Sequence, residues 1–183
     1  MSNHLTQSKT MKSCSLTEKV CLVSFVVVVY ISISSFSFQS KIEDVQEVTV
    51  GYPEGYRDWT HVKTYVVKPK NPAFSIIGGF NHVYANDKAM IGYKTGSFPN
   101  GSIIVSDVII ALDDSLTTRE GARVHLDVMV RDTIYTQDPG GWRFETFEKD
   151  SKTTRMLTPT TRLQCNNCHH KHNKDMVFSD FRQ

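Results

Sequence analysis

The sequence predicts an α+β fold that is mainly β, with an antiparallel sheet of about five strands and a few helices. Five segments either are rich in β-branched residues or alternate between apolar and polar residues. A full set of helix start and stop signals, in contrast, stands out at one segment. Turn residues separate these segments, and no internal repeat is present.

An apolar leader precedes this domain. No charged residue occurs from Val20 to Ser40, and Lys9, Lys12 and Lys19 come before that stretch, as in an export signal. The apolar run is also long enough to span a bilayer, so residues 1–40 are either a cleaved signal peptide or an N-terminal membrane anchor. Either outcome predicts a periplasmic or otherwise extracytoplasmic location for residues 41–183.

The exported part is close to neutral. Removing the three lysines and one glutamate of residues 1–40 from the 21 basic and 19 acidic residues leaves 18 of each. A nucleic-acid-binding protein would carry a basic tract, so nucleic acid is not an expected partner.

The first predicted elements lie between residues 56 and 85. Residues 56–59 predict a short helix or loop in which Trp59 anchors the core. Residues 60–68 predict a strand that Pro69 and Pro72 end. Residues 74–85 predict a second strand, in which Gly78-Gly79 indicates either a β-bulge or a close backbone approach.

A helix and the strongest strand follow. Asn86 is a suitable N-cap, Asp87 complements the helix dipole, and Gly96 ends a helix that runs to about Lys94. Pro99-Asn100-Gly101 predicts a turn into a strand over residues 102–112.

The last two strands flank a glycine turn. Residues 113–121 predict a polar loop, and residues 122–131 predict a strand that alternates strictly. Val124, Leu126, Val128 and Val130 share one face, and His125, Asp127, Met129 and Arg131 share the other. Pro139-Gly140-Gly141 leads into a strand over residues 142–148, after which the polar residues 149–164 are expected to cross the surface.

The motif Cys165-Asn166-Asn167-Cys168-His169 carries the clearest chemistry. The spacing C-x-x-C-H is the attachment signature of c-type haem, in which both thiols add to the haem vinyl groups and the histidine ligates the iron. The alternatives are a local zinc site completed by His170 and His172, or a redox dithiol. Both are less favoured, because structural zinc ligands rarely crowd one short segment and a thioredoxin-like motif opens a helix after a strand.

Several stretches together resemble the cytochrome P-460 family and its relative cytochrome c′-beta. They are residues 79–86, 92–102, 140–144, 165–169 and 175–178. The resemblance implies a mainly β domain with one covalent haem c per chain, commonly a homodimer. It also implies an iron held by His169 with an open distal face, in proteins that oxidise hydroxylamine or bind nitric oxide and other small gases.

Two positions depart from the members that oxidise hydroxylamine. Their lysine that cross-links to the haem aligns with Ser106, and no lysine occurs from Gly101 to Thr118. Their distal arginine aligns with Asn81. We therefore do not expect hydroxylamine oxidation through such a cross-link.

The distal pocket has apolar and polar candidates. On a strand, Asn81 and His82 point to opposite faces, so at most one of them is expected to face a haem. The candidates are Phe74, Phe80, Phe98, Asn81, His82, Ser106 and, as a further polar residue, Asp107.

These observations predict an exported mono-haem cytochrome that binds or transforms small nitrogen species, nitric oxide first. The alternatives are a six-coordinate electron carrier, with Met90 or Met129 as the sixth ligand, and hydroxylamine oxidation without a cross-link. The expected partners are a small gaseous or nitrogenous ligand, a redox partner protein and a second copy of the chain, with a membrane tether if the leader is retained.

Overall fold

In the part of the chain that the structure describes, five antiparallel strands form one sheet in which every strand pairs with its neighbour in the sequence. The computed structural model describes residues 49–134, 139–172 and 174–182, so the predicted leader lies outside the described residues. The predicted α+β fold, mainly β with an antiparallel sheet, is confirmed. The strands are β1 (Thr60–Val67), β2 (Gly79–Ala85), β3 (Ile103–Asp113), β4 (Thr118–Arg131) and β5 (Trp142–Glu148).

Within the described residues, three helices and two short 3₁₀ turns connect or follow the strands. The helices are α1 (Phe74–Ile77), α2 (Asp87–Thr95) and α3 (Pro159–His169), and the 3₁₀ turns are Tyr56–Asp58 and Pro139–Gly141. The predicted ends of helix α2 are confirmed. The Asn86 side chain caps the start by accepting from the Ala89 N–H at 2.9 Å, and Gly96 ends the helix with a left-handed φ of 83°. Within the described ranges, we find no helix with the length and apolar character needed to cross a membrane.

The predicted strand over residues 74–85 is wrong in its first half. The Asn71 side chain accepts from the Ala73 N–H, and the turn that this bond begins continues into the short helix α1. Strand β2 begins only at Gly79, whose φ is 102°. A Cβ atom at this position would collide with the carbonyl oxygen of Ile109 on β3, so the glycine permits a close backbone approach.

The predicted polar loop over residues 113–121 is also wrong for most of its length. Strands β3 and β4 meet in a tight hairpin, in which the Asp114 N–H donates to Thr117 O at 2.8 Å. The Thr118 hydroxyl donates to the Asp113 carboxylate at 2.7 Å. The residues at the start of β4 are largely exposed, so they pair as a strand without the apolar alternation that sequence reasoning relies on.

The two faces of the sheet have separate cores. Cross-strand partners share a face, so the register assigns Ala85, Ile104, Met129 and Phe144 to one side, here called the front face. Helix α2, helix α3 and the C-terminal tail supply residues to the same cluster. The opposite side, the back face, packs Val50, Tyr56, Val105, Leu126, Val128 and Phe147. The alternation predicted for the centre of β4 is therefore confirmed.

A β-bulge redirects one arginine to the back face. His125 pairs with Val108, but Arg123 pairs with Ile109, so β4 advances two residues where β3 advances one. Arg123 then reaches Asp107, with its Nε atom 2.6 Å from the carboxylate.

Asp107 is the centre of a buried polar network on the back face and not a pocket residue beside the haem motif. Its side chain is fully buried, and it accepts from Arg123, from the Tyr56 hydroxyl at 2.6 Å and from Arg57 at 2.6 Å. The network fastens the N-terminal 3₁₀ turn to the sheet. Burial and the neighbouring Asp107 raise the pKa of Tyr56, which therefore stays a neutral donor.

We expect Asp107→Ala to destabilise the fold by about 3–5 kcal/mol, because the largely buried Arg123 would lose its principal partner. Urea unfolding of the purified domain measures this change. Asp114→Ala, in the exposed hairpin, is the control and is expected to stay within about 0.5 kcal/mol of the wild type. Equal stability of the two variants would contradict the assigned role of Asp107.

The Asp107 carboxylate is expected to account for part of the loss of folding stability at acidic pH. Burial on its own would raise the pKa of Asp107, but hydrogen bonds from Arg123 and Tyr56 outweigh it, so the pKa lies below its ordinary value of 3.8. The stabilisation of the fold by ionised Asp107 is therefore complete above the ordinary pKa and is lost as the pH falls through the lower folded-state pKa. The difference in unfolding free energy between wild type and Asp107→Asn should narrow as the pH is lowered below about 3.8, and a constant gap would argue against this linkage.

Candidate functional site

Helix α3 presents the cysteine motif in its last turns. Thr158 and Thr161 form a capping box, with the Thr161 N–H 3.2 Å from the Thr158 hydroxyl and the Thr158 N–H 2.8 Å from the Thr161 hydroxyl. Pro159 occupies the first turn, where its missing N–H costs nothing. This helix was not predicted from the sequence, although Thr158-Pro159 is a helix start signal.

Both cysteines of the motif are free thiols. Cys165 and Cys168 are three residues apart on α3, which places them on the same side of the helix. Cys165 is half-buried against the front core, whereas Cys168 is exposed. Burial and the negative charge of Asp127 raise the pKa of Cys165, so the thiol is protonated at neutral pH. This arrangement fits two thioether bonds to one planar group lying beside the helix.

The imidazole of His169 is held in one orientation. Its Nδ1 atom lies 2.8 Å from the carbonyl oxygen of Met176. A carbonyl only accepts, so Nδ1 carries the proton and the neutral ring leaves the Nε2 lone pair free for a metal. Burial lowers the pKa of His169, which favours that neutral form. The rings of Phe144 and Phe178 flank it at 5.0 Å and 4.6 Å between centroids.

The turn that delivers the Met176 carbonyl is strained and firmly held. Asp175 and Met176 have φ angles of 49° and 67°, in the left-handed region that residues other than glycine rarely adopt, although aspartate tolerates it better than most. The Asp175 carboxylate accepts from the Phe98 N–H at 3.0 Å and pairs with Arg131 at 3.3 Å. The Trp142 indole N–H donates to Asp175 O at 2.9 Å. Strain of this kind persists where several contacts fix the backbone, as they do here.

The methionines have different surroundings. Met176 is buried, and its sulfur packs against Gly140, where a Cβ atom would collide with it. Met176 thus serves His169 through its backbone carbonyl. Met90 and Met129, the predicted sixth-ligand candidates, are both buried in the front core.

A carboxylate lies on the front face within electrostatic reach of the motif. Asp127 accepts from the Thr146 hydroxyl at 2.7 Å and from His125 Nε2 at 3.2 Å. Burial would lower the pKa of His125, but its bond to Asp127 outweighs that effect and the pKa is raised. The charge of Asp127 also acts to raise the pKa values of Cys165 and His169.

The predicted distal residues divide between the two faces. Asn81 and Ser106 lie on the front face, where the Ser106 hydroxyl is 3.4 Å from Asn81 Oδ1. Phe98 is buried in the front core, with its ring centroid 5.5 Å from that of Trp142. Phe74 belongs to α1 and is 40% exposed.

Phe80 and His82 lie on the back face, so the structure does not bring them to the side that carries the cysteine motif. Their rings stack at 5.8 Å, and His82 Nδ1 is 2.8 Å from the Thr64 hydroxyl. The opposite orientation of Asn81 and His82 follows the strand alternation that the sequence predicts.

A metal centre independent of haem would need a cluster of ligating side chains. Among residues 49–134, 139–172 and 174–182, no three His, Cys, Asp or Glu side chains come together as a metal-binding group, which a local zinc site would need.

Comparison with known proteins gives one family. The Cytochrome P460 family model matches residues 53–179, which is more than half of the chain and includes all five strands and α3. No curated protein matches the chain.

We expect Asp175→Ala to destabilise the domain by about 1–3 kcal/mol, because the Phe98 N–H loses its acceptor and the left-handed backbone loses a residue that tolerates it. Asp175→Asn, which keeps an acceptor and this tolerance, should cost less. Urea unfolding measures stability, and the NMR signal of the His169 Nδ1 proton reports the orienting bond. Equal stabilities and an unchanged His169 signal in both variants would contradict this account.

Proposed function

Because the chain belongs to the cytochrome P460 family, we propose that it is an exported c-type cytochrome whose iron binds or transforms small nitrogen species, nitric oxide first. Membership of the family implies a haem cofactor. The proposal assigns covalent attachment to Cys165 and Cys168, axial ligation to His169, and one haem to each chain. A haem with a single imidazole ligand supplies an open iron position for a small ligand.

The observation that carries this proposal is the hydrogen bond between His169 Nδ1 and Met176 O. In this bond the Nδ1 proton is donated to the protein, so Nε2 is the nitrogen left to ligate a metal. His169 comes directly after the two free thiols of the motif in the sequence. The same bond fixes the ring plane and increases the electron donation of the imidazole. Phe144 and Phe178 limit the access of water to the ring.

Nitric oxide is preferred to hydroxylamine because of the residues on the front face. Ser106 lies there, and the resemblance aligns it with the lysine that cross-links to the haem in the members that oxidise hydroxylamine. Serine cannot form that link, and its neighbour Asn81 is a neutral amide. Hydroxylamine oxidation without a cross-link is the less favoured use of the same iron.

The alternative is an electron carrier with a six-coordinate iron. Met129 is the residue that favours it, since it pairs across the sheet with Phe144, whose ring contacts His169. A methionine sulfur on the iron would close the position that a gas needs.

The location and the partners belong to the same proposal. The leader, residues 1–40, exports the domain to the periplasm or another extracytoplasmic space and is either removed or retained as a membrane tether. A redox partner protein exchanges electrons with the haem. A homodimer is supported by exposed apolar side chains near the β3–β4 hairpin, Ile110, Leu112 and Leu116.

The test is the optical spectrum of protein matured in a host that attaches haem covalently. We expect a pigment that acidified acetone does not extract and a high-spin ferrous form that takes up carbon monoxide and nitric oxide. The double variant Cys165→Ser/Cys168→Ser is the control and should lose the covalent pigment.

Other outcomes would point elsewhere. A low-spin ferrous spectrum indifferent to carbon monoxide would establish the electron carrier. Steady hydroxylamine-dependent reduction of an electron acceptor would establish turnover. Wild-type protein that stays colourless, or loses its colour to acidified acetone, would refute the proposal.

A further inference from the structure

We infer that Glu145 is a positioning residue for the proposed haem site: through Arg162, it holds helix α3 against the edge of strand β5. This inference rests on the proposed function, because α3 carries the two thiols and the histidine that the proposal assigns to the haem. Glu145 acts on the helix and not on the bound ligand. Its role is to keep the attachment motif in one place relative to the sheet.

Glu145 is a buried carboxylate that two arginines approach. Its side chain is 1% exposed, and its Oε2 atom lies 3.0 Å from Arg155 and 3.5 Å from Arg162. Its Oε1 atom accepts from the Thr146 N–H at 3.0 Å. Both oxygens therefore have partners, and the two guanidinium groups balance the negative charge. A buried ion pair often contributes no more stability than apolar residues of similar volume, but it can specify one arrangement of the chain.

The chain pairs with the outer edge of β5 before it enters α3. Strand β5 is the last strand of the sheet, so this edge has no further strand to pair with. The Glu148 N–H donates to Thr154 O at 3.0 Å, and the Met156 N–H donates to Thr146 O at 2.9 Å. Backbone pairing thus satisfies the edge as far as Met156.

Side chains then take over where this backbone pairing stops. The Thr146 N–H donates to the Glu145 carboxylate, and the Arg162 Nε atom donates to Phe144 O at 3.2 Å. Arg162 therefore contacts two consecutive residues of β5, one through its carbonyl oxygen and one through its carboxylate. These contacts fix the first half of α3 to the strand.

Arg162 lies on the same side of α3 as two residues of the proposed site. Cys165 and His169 follow it by three and seven residues, which is about one and two turns of an α-helix. Cys165 packs against the front core, and the centroids of the His169 and Phe144 rings are 5.0 Å apart. Because a helix is a rigid element, a shift at Arg162 carries over to both of these residues.

The position of α3 also decides how well His169 reaches the carbonyl oxygen of Met176. The turn that presents this carbonyl is held by the contacts of Asp175 with Phe98 and Trp142. The helix side of the bond is therefore the one that shifts when the Glu145 contact is lost. A weaker bond at Nδ1 reduces the electron donation of the imidazole to a metal.

Glu145→Gln in the haem-loaded protein tests the inference. Glutamine keeps the shape but has one acceptor oxygen, so either the two arginines or the Thr146 N–H lose their acceptor. After maturation in a host that attaches haem, we expect a smaller fraction of chains to carry covalent haem than in the wild type. In those that do, resonance Raman spectroscopy of the ferrous form should show a lower iron–imidazole stretching frequency.

Asp107→Asn is the matched control. Asp107 is also a fully buried carboxylate that pairs with an arginine, but its network lies on the back face and holds the N-terminal turn. Both variants should unfold at lower urea concentration than the wild type. Only Glu145→Gln should lower the haem content and the stretching frequency. Equal changes in both variants would mean that a general loss of stability is the cause, and they would overturn the positioning role.

Arg162→Lys carries the test if Glu145→Gln does not fold. Lysine keeps the positive charge, but its ammonium group does not reproduce the separate contacts of a guanidinium with Phe144 O and Glu145. We expect both readouts to change in the direction of Glu145→Gln. Arg155→Lys, which alters the other arginine on the same carboxylate but lies outside α3, should keep the wild-type frequency. An equal fall in the two lysine variants would contradict the role of the helix contact.

The outcomes separate this inference from the proposed function. If wild-type protein attaches haem and binds nitric oxide, but Glu145→Gln and Arg162→Lys match it in haem content and stretching frequency, the inference is overturned and the proposed function stands. If wild-type protein attaches no haem, both are overturned together.

Discussion

The hydrogen bond between the His169 ring and the Met176 carbonyl is the constraint on which the site depends. A helix ends at His169, so its ring would otherwise be free to rotate, and either nitrogen could face a metal. The chain fixes the ring by returning through a left-handed turn, which costs backbone energy at Asp175 and Met176. Contacts of Asp175 with three separate parts of the fold offset that cost. The orientation of one imidazole is thus maintained by residues from the tail, from β4, from the start of β5 and from the turn after α2.

The two faces of the sheet have different roles: the back face mainly stabilises the fold, and the front face carries the candidate site. The back face buries a carboxylate, Asp107, together with an arginine that balances its charge and a tyrosine that donates a hydrogen bond to it. This network connects the N-terminal turn to β3 and β4. On the front face, a row of apolar residues crosses the strands and ends at Phe144. The polar groups beside this row are either neutral or paired by hydrogen bonds. A bulge at Arg123 makes the division possible, because a regular β4 would have pointed that arginine to the front. The positive charge would then lie on the front face and not beside the buried aspartate.

Local signals made part of this fold predictable, and long-range pairing decided the rest. Helix α2 was foreseen because Asn86 and Gly96 act within one turn of its ends. The start of β4 was not foreseen, because its exposed residues do not alternate between apolar and polar. They form a strand only because they pair with β3. The attachment motif could be recognised in the sequence because its spacing is set by the chemistry of the haem. The role of the Met176 carbonyl could not be predicted, because it depends on a left-handed turn.

The proton requirements of the two candidate reactions bear on the choice between them. Oxidising hydroxylamine releases protons, so a competent site needs a base with a pKa near the working pH. The side chains of Ser106 and Asn81 do not titrate in that range. Asp127 and His125 are the acid–base pair on this face, but each is already the other's partner. Binding nitric oxide requires no proton transfer, and the Asn81–Ser106 pair on the front face is neutral. In the proposed function, the residues around the open position therefore favour retention of a diatomic ligand over its chemical conversion.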